Sequence, residues 1–268
     1  AGRNQRLGDA APATRRALLS GLEPPGMTRP ILALAFAALS AMLPLAAAPA
    51  AAKQPAPAAK APPPVQSPAQ PVARTAEGGY LIGNPGAPVK VVEFVSYTCP
   101  HCAHFHAESA TPLQAKYITP AHISLEVRPF LRNAIDVTAT LLTNCGPADR
   151  FYGNHSLVLQ RQAEWLRSPN PAQLKRWEHP DFATRTKAMA QDLGLYRLMQ
   201  TRGYKPAELD RCLSDRAAAE RLADQTETAV DRIGVRGTPS FTINGTLQNF
   251  YDWASLRAAL DALTEGFS

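Results

Sequence analysis

The sequence predicts an α/β fold in which a long helical segment interrupts an alternating series of strands and helices. The continuous apolar run at residues 91–97 is typical of a buried strand, and an amphipathic stretch follows it directly. Apolar residues then recur at helical intervals over residues 137–233. Near the C-terminal end, Asn244 and Gly245 form a strong signal for a tight hairpin. These observations place strands on both sides of a helical block.

The part before the helical block is predicted as strand, helix, strand. Residues 89–96 are expected to form the first strand because they are mostly apolar and β-branched. Residues 103–117 are expected to form the helix, with a kink or restart at Pro112, since proline removes a helical hydrogen bond. Residues 123–129 alternate apolar and polar side chains, which predicts the second strand.

The part after the helical block is predicted as a hairpin followed by a helix. Residues 240–243 resemble a strand, and the Asn-Gly turn leads into a partner strand at residues 246–248. Asp252 is a plausible cap for the last helix. The apolar face predicted for that helix consists of Trp253, Leu256, Leu260 and Leu263.

Three segments precede the foldable part of the 268-residue chain. Residues 27–52 combine a basic start, an apolar run and small residues suited to cleavage, which predicts a secretory signal peptide, with an uncleaved membrane anchor as the alternative. Residues 53–78 hold seven prolines and no apolar period, which predicts a disordered Pro/Ala-rich linker. Residues 1–26 are assigned no function, and a true start at Met27 would explain them.

Charge and cysteine content limit the classes of function. The formal charge is +6, but residues 1–52 contribute five arginines against two acids, which leaves 23 basic and 20 acidic residues in the remainder. The basic residues are scattered among acids, so no nucleic-acid partner is predicted. Four cysteines, an even number, lie in the foldable part of an apparently exported chain, which suits an oxidising compartment.

Cys99 and Cys102 are the most informative residues, because they stand two residues apart at the start of a predicted helix. Unpaired backbone N–H groups and the helix dipole stabilise negative charge there, and the thiolate is the nucleophile of disulfide exchange. Half of a zinc site and an inert disulfide are the alternatives. No second Cys/His pair follows at short spacing, so redox chemistry is favoured and no metal or cofactor is predicted.

Two motifs together resemble the DsbA family of exported thiol–disulfide oxidoreductases. The first is Cys-Pro-His-Cys after the apolar strand, and the second is Gly-Thr-Pro-Ser-Phe at residues 237–241 before the hairpin. The resemblance covers about 190 residues and implies a thioredoxin-like fold interrupted by an all-helical insertion. Its predicted parts are a first half at residues 79–132, the insertion at 133–232 and a second half at 233–268.

The family motif implies a role for each residue around the cysteines. Cys99 is expected to be the exposed attacking sulfur, and Cys102 the partner that closes the disulfide. Pro100 and His101 lie between them, where the His101 imidazole is expected to favour the Cys99 thiolate. A solvated helix residue is the alternative for His101. His104 and His106 are interpreted as surface or packing residues.

Glu93 interrupts an apolar strand six residues before Cys99, where the family carries a buried acid beneath the disulfide. A buried carboxylate is costly unless it is paired or functional, so we expect Glu93 to exchange a proton with Cys102 and to have a raised pKa. An outward-facing residue at a sheet edge is the alternative.

Thr238 and Pro239 are predicted to contact the active-site sulfurs and to bind a substrate peptide as a short added strand. The resemblance implies that the Thr238–Pro239 peptide bond is cis. A proline that merely begins a strand is the alternative. Some relatives with threonine here are isomerases or reductases.

Cys145 and Cys212 resemble the extra cysteine pair of some bacterial family members and are predicted to form a structural disulfide. Two free buried thiols or a second redox pair are the alternatives.

The predicted function is the oxidation of cysteine pairs in unfolded exported proteins, by a periplasmic monomer that a membrane oxidase of the DsbB type reoxidises. An isomerase or reductase of the same fold is the runner-up. A protein that handles copper or zinc through Cys99, Cys102 and His106 is a third possibility.

Overall fold

A computed structural model describes residues 71–267 and shows in them a six-stranded sheet with the order β1-β2-β4-β3-β5-β6. Strands β3 and β4 are parallel, and the other neighbours are antiparallel. The sequence prediction of an α/β, thioredoxin-like fold with strands on both sides of a helical block is confirmed. The strands are β1 (Val72–Arg74), β2 (Tyr80–Ile82), β3 (Val89–Val95), β4 (Ile123–Pro129), β5 (Ser240–Ile243) and β6 (Thr246–Leu247).

Strand β3 lies in the middle of the sheet, between β4 and β5. Its apolar residues Val89, Val91 and Val95 are at most 3% exposed. This burial explains why the strand has a nearly continuous apolar sequence rather than a strict alternation. At the centre of the ladder, Glu93 stands opposite Val127 on one side and Phe241 on the other.

Helix α1 (Pro100–Pro112) begins directly after β3 and continues as a π-helical turn at Leu113–Ile118. The helix therefore starts three residues before the predicted residue 103, because Pro100 occupies the first turn, where its missing N–H costs nothing. The change of helix type falls just after Pro112, close to the predicted kink. Phe105 packs against Phe241 of β5, with ring centroids 4.8 Å apart, and so ties α1 to the sheet.

The helical block lies between β4 and β5. Its helices are short and separately capped, unlike the continuous helical pattern of the sequence: Asn133, Asn170, Asp181 and Asp215 each accept a backbone N–H at a helix start. The α-helices are α2 (Ala134–Thr143), α3 (Phe151–Gln160), α4 (Gln162–Trp165), α5 (Pro171–Trp177), α6 (Phe182–Asp192), α7 (Leu195–Gln200), α8 (Pro206–Ser214) and α9 (Arg216–Thr228), followed by a π-helical turn, Ala229–Ile233.

The last helix, α10 (Trp253–Thr264), packs on α1 and begins at Asp252, whose carboxylate accepts the backbone N–H of Ser255. Its buried residues are Trp253, Leu256 and Leu260. Leu263 is 43% exposed, so its predicted place on the buried face is wrong. It lies in the last turn of the helix, where little of the core remains to cover it.

The N-terminal end of the described chain differs from the prediction. Residues 72–74, inside the predicted linker 53–78, form β1 and pair with β2. The unassigned residues 1–26, the predicted signal peptide at 27–52 and most of the linker lie outside the described residues. Within residues 71–267 there is no helix whose length and apolar character would suffice to cross a membrane.

Candidate active site

The active site lies where the carboxyl end of β3 passes into α1. Cys99 is the N-cap residue, with an extended backbone (φ −92°, ψ 116°), and its side chain makes no capping hydrogen bond. Its carbonyl oxygen accepts the backbone N–H groups of Cys102 and Ala103, at 3.1 and 3.3 Å. The sulfur is therefore free for chemistry, while the backbone of the same residue begins the helix.

The surroundings of Cys99 favour its ionised form and lower its pKa to about 4. The largest cause is the hydrogen bond from the Cys102 thiol, which outweighs the opposing effect of burial. Thr238 and the backbone N–H groups of Cys102 and His101 lower the pKa further. A thiolate that is present at neutral pH is the reactive species of thiol–disulfide exchange.

Cys102 has the opposite environment. The residue is 0% exposed, and burial raises its pKa well above its usual range, with further contributions from Cys99 and Glu93. Cys99 and Cys102 are both free thiols in this structure. The two residues therefore differ in protonation, because Cys99 is ionised at neutral pH and Cys102 keeps its proton.

One part of the prediction for Cys99 is wrong, because the residue is only 4% exposed rather than freely accessible. The Thr238 loop covers the sulfur, and the Cys99 Sγ lies 3.1 Å from the Thr238 carbonyl oxygen, to which the thiol donates.

Glu93 is 3% exposed, and its Oε1 has no hydrogen-bond partner. Burial raises the pKa of its carboxyl group to about 8, so the group holds its proton at neutral pH. Because β3 is central and Glu93 is buried, the alternative of an outward-facing residue at a sheet edge does not apply. Glu93 also contributes to the raised pKa of Cys102.

The second motif, residues 237–241, follows the helical block along the chain and lies beside the cysteines in the fold. The Thr238–Pro239 peptide bond is cis, and β5 begins at the next residue, Ser240. Thr238 Oγ1 is buried and without a hydrogen-bond partner, so its hydroxyl is available to a Cys99 thiolate.

The histidines occupy three different environments. His101 is exposed, and its backbone N–H contributes to the lowered pKa of Cys99. His104 is exposed and lies 3.4 Å from the Glu108 carboxylate. His106 is 4% exposed and packs beside His155, with ring centroids 5.0 Å apart. Within residues 71–267, no group of three or more His, Cys, Asp and Glu side chains is arranged to hold a metal ion.

Two residues of the helical block belong to the site and were missed in the sequence. The Asp136 carboxylate accepts the hydroxyls of Ser96 and Thr98 and the backbone N–H of Thr98. The Gln162 side chain donates to backbone carbonyls of the loop before α1. Asp136 could have been noticed in the sequence, since it is a charged residue within an apolar helix. The sequence pattern around Gln162 does not distinguish that residue.

Cys145 and Cys212 form a disulfide in the helical block, with Cα atoms 5.7 Å apart. Cys145 follows α2, and Cys212 lies in α8. The bridge joins two parts of the block and contributes no group to the environment of Cys99.

Comparison with known proteins agrees with this geometry. Residues 75–262 match the model of a protein family described as thioredoxin. A Rickettsia bellii protein, described provisionally as a protein-disulfide oxidoreductase, is 30% identical over 190 residues, which cover 70% of this chain and 66%, just under two thirds, of that protein.

Solved structures give the same result. The structure of protein-disulfide isomerase from Novosphingobium aromaticivorans is 46% identical and superposes with a TM-score of 0.65, over 68% of this chain and 95% of that one. Wolbachia pipientis alpha-DsbA1, at 20% identity and a TM-score of 0.57, covers 70% of this chain and 91% of its own and shares the fold. The chain belongs to the thioredoxin family.

Proposed function

We propose that the protein oxidises cysteine pairs in other proteins through a Cys99–Cys102 disulfide. The observation that carries this proposal is the contrast between a Cys99 pKa lowered to about 4 and a Cys102 pKa raised far above it. A stabilised Cys99 thiolate favours the reduced enzyme, and this makes the disulfide a strong oxidant.

The reaction passes two electrons from substrate to enzyme. A substrate thiolate attacks the Cys99 sulfur, the Cys99–Cys102 bond breaks, and Cys102 leaves with the bonding electron pair. In this proposal protonated Glu93, with its pKa of about 8, supplies the proton that Cys102 then takes up. The second substrate thiolate attacks the substrate sulfur of the mixed disulfide, and Cys99 leaves as a thiolate.

The proposed substrates are unfolded or partly folded proteins that reach an oxidising compartment with free cysteines. The predicted signal peptide supports export to the periplasm, where disulfides persist. A membrane oxidase of the DsbB type would restore the Cys99–Cys102 disulfide. We propose a monomer, since the Pro-rich segment before the folded part has no apolar heptads to drive association.

An isomerase or reductase is the second candidate, and one finding favours it. The Novosphingobium protein that is 46% identical to this chain is named a protein-disulfide isomerase. Such an enzyme uses the same Cys99 thiolate but must stay reduced in the cell, so that it can attack incorrect disulfides.

The redox state of Cys99 and Cys102 in living cells separates the two candidates. Acid quenching followed by alkylation with a heavy maleimide counts the free thiols, and a variant with Cys145 and Cys212 both replaced by alanine removes the background of the second pair. A mostly oxidised Cys99–Cys102 pair supports the oxidase, and a mostly reduced pair refutes it. Metal analysis of the reduced, purified protein tests the copper or zinc alternative in the same preparation.

A further inference from the structure

A side chain from the helical block reaches the loop that carries Cys99. Gln162, in α4, is 6% exposed, and its Nε2 donates to the carbonyl oxygens of Tyr97 and Cys99, at 2.8 and 3.0 Å. The two hydrogens of one amide group thus satisfy two carbonyls of the same loop. The contact joins residues more than 60 positions apart, 65 for Tyr97 and 63 for Cys99.

The local backbone directs Gln162 towards the loop and holds it there. Helix α3 ends at Gln160. Arg161 follows with a ψ of 13° that departs from helical geometry, and the chain restarts as the short helix α4. Two hydrogen bonds fix this restart: the Gln162 carbonyl accepts the N–H of Leu166 at 2.8 Å, and the Trp165 indole donates to the Val158 carbonyl at 2.8 Å. The amide is therefore presented by a rigid element.

The direction of the Cys99 carbonyl matters for its sulfur. The same oxygen that accepts from Gln162 also accepts the N–H groups of Cys102 and Ala103, which begin α1. The backbone N–H groups of His101 and Cys102, in the first turn of α1 after this peptide, contribute to the lowered pKa of Cys99. If the carbonyl rotated, those donors would turn away from the sulfur, and the carbonyl dipole would approach it.

The helical block also binds the residue of the loop that lies between Tyr97 and Cys99. Asp136 accepts the Thr98 N–H at 2.9 Å, while Gln162 binds the carbonyls of Tyr97 and Cys99 on either side of it. Two buried side chains of the helical block therefore hold three consecutive residues. Of these two side chains, Gln162 is the one that binds the backbone of Cys99 itself.

We propose that Gln162 is a positioning residue for thiol–disulfide exchange, whose amide orients the Cys99 carbonyl so that the first N–H groups of α1 face the sulfur. This inference rests on the proposed function, because it concerns the same sulfur, but it holds equally for an oxidase and an isomerase. The helical block then acts on the chemistry of the cysteines as well as covering the sheet.

The test compares Gln162→Leu and Gln162→Glu with the control Gln160→Leu, which makes the same change at an exposed position two residues earlier. The full-length reduced proteins are titrated by thiolate absorbance and by iodoacetamide reactivity, two measurements that need no substrate. Loss of the amide in Gln162→Leu is expected to raise the Cys99 pKa by about 0.5–1 unit, which is a 3–10-fold loss of thiolate at low pH. Gln160→Leu should leave the pKa unchanged.

Gln162→Glu keeps the shape of the side chain and reverses its role when ionised, since a carboxylate repels both carbonyls and the thiolate. It is expected to raise the Cys99 pKa more than Gln162→Leu does, and it decides the question if the leucine variant fails to fold. A lower melting temperature with an unchanged Cys99 pKa in the folded variants would reduce Gln162 to a structural residue and overturn the proposal. A reduced Cys99–Cys102 pair in cells, together with the expected pKa shift, would reject the oxidase and keep the role of Gln162.

Discussion

The molecule contains two cysteine pairs in contrasting settings. Cys99 and Cys102 lie two residues apart at the start of a helix, whereas Cys145 and Cys212 join positions 67 residues apart in the helical block. Both pairs are largely buried, so burial alone does not distinguish them. The difference is the set of hydrogen-bond donors at Cys99, which come from Cys102, Thr238 and the first turn of α1.

This contrast shows what makes a cysteine pair reactive in this fold. A disulfide between distant residues restricts the unfolded chain and has no need of a stabilised thiolate. A pair at a helix start closes too small a loop to gain much in that way, and its donors stabilise the open, reduced form instead. The first pair is therefore suited to exchange and the second to stability.

The largest expected effect comes from replacing each cysteine of the reactive pair in turn. Cys99→Ser should reduce the oxidation of a model dithiol peptide to the uncatalysed rate, because without Cys99 no disulfide can form for the substrate thiolate to attack. Cys102→Ser should instead accumulate mixed disulfides when the peptide is supplied in its disulfide form, because the Cys99 thiolate opens that bond and no Cys102 thiol remains to release the peptide. The adduct is visible as a mass increase on non-reducing gels. Preferential alkylation of Cys102 at pH 5–6 in the wild-type protein would reverse the assignment.

Removing the second pair should change stability without changing reactivity. Replacing both Cys145 and Cys212 by alanine is expected to lower the free energy of unfolding by about 4 kcal/mol, from the loop entropy of a 67-residue separation. Urea denaturation measures this loss, and glutathione equilibration measures the active-site potential. A large change in the potential would show that the two pairs are coupled. It would contradict the conclusion that the second pair serves stability alone.

Glu93→Gln should slow thiol–disulfide exchange through its effect on Cys102. Loss of a general acid at the Cys102 proton is expected to slow exchange about 100-fold, or about 2.7 kcal/mol in the barrier, with little effect on the Cys99 pKa. Stopped-flow kinetics with a model peptide measure the rate. An unchanged rate would show that Glu93 takes no part in the reaction.

The same residue predicts a pH dependence of stability. The folded-state pKa of Glu93, raised to about 8 from 4.5, means that the folded protein keeps a proton that the unfolded chain loses. Its contribution to stability is full below pH 4.5 and is lost as the pH rises through about 8. In Glu93→Gln this decline should disappear, which denaturant titrations between pH 4.5 and 8 can detect.

The smallest effect is expected for the His101 side chain. If the exposed imidazole adds one hydrogen bond to the thiolate, His101→Ala should raise the Cys99 pKa and lower the potential by roughly 10–30 mV, the equivalent of about 0.5–1.5 kcal/mol. Glutathione equilibration resolves this shift. No shift would mean that the backbone N–H of His101, which alanine keeps, is its whole contribution.

The strong patterns in the sequence were sufficient to predict the centre of the fold and of the site. The apolar run of β3, the Cys-Pro-His-Cys motif and the Thr-Pro segment identify the groups that meet at Cys99. Strands β1 and β2 were missed because strands of three residues are too short to show an alternation. The breaks within the helical block were missed because its apolar period continues across them.

Gln162 could not have been found from its sequence neighbourhood. Its role depends on a bend at Arg161 and on a contact 63 residues away, and neither leaves a local pattern. The exposure of Cys99 was mispredicted for a similar reason, since the Thr238 loop that covers it lies 139 residues further along the chain. Local chemistry predicts which side chains react, whereas tertiary contacts decide how accessible they are.

The covering of Cys99 by Thr238 has a consequence for the biogenesis of the enzyme. Synthesis produces the chain in order, so both active-site cysteines emerge well before Thr238, and a helix of 13 residues is marginal on its own in water. We expect Cys99 to behave as an ordinary thiol until β5 pairs with β3 and the Thr238 loop arrives. Rapid iodoacetamide labelling during refolding should show its high reactivity at low pH appearing only with that final step. On this expectation, a chain that has not yet paired β5 with β3 reacts only slowly with its neighbours at low pH.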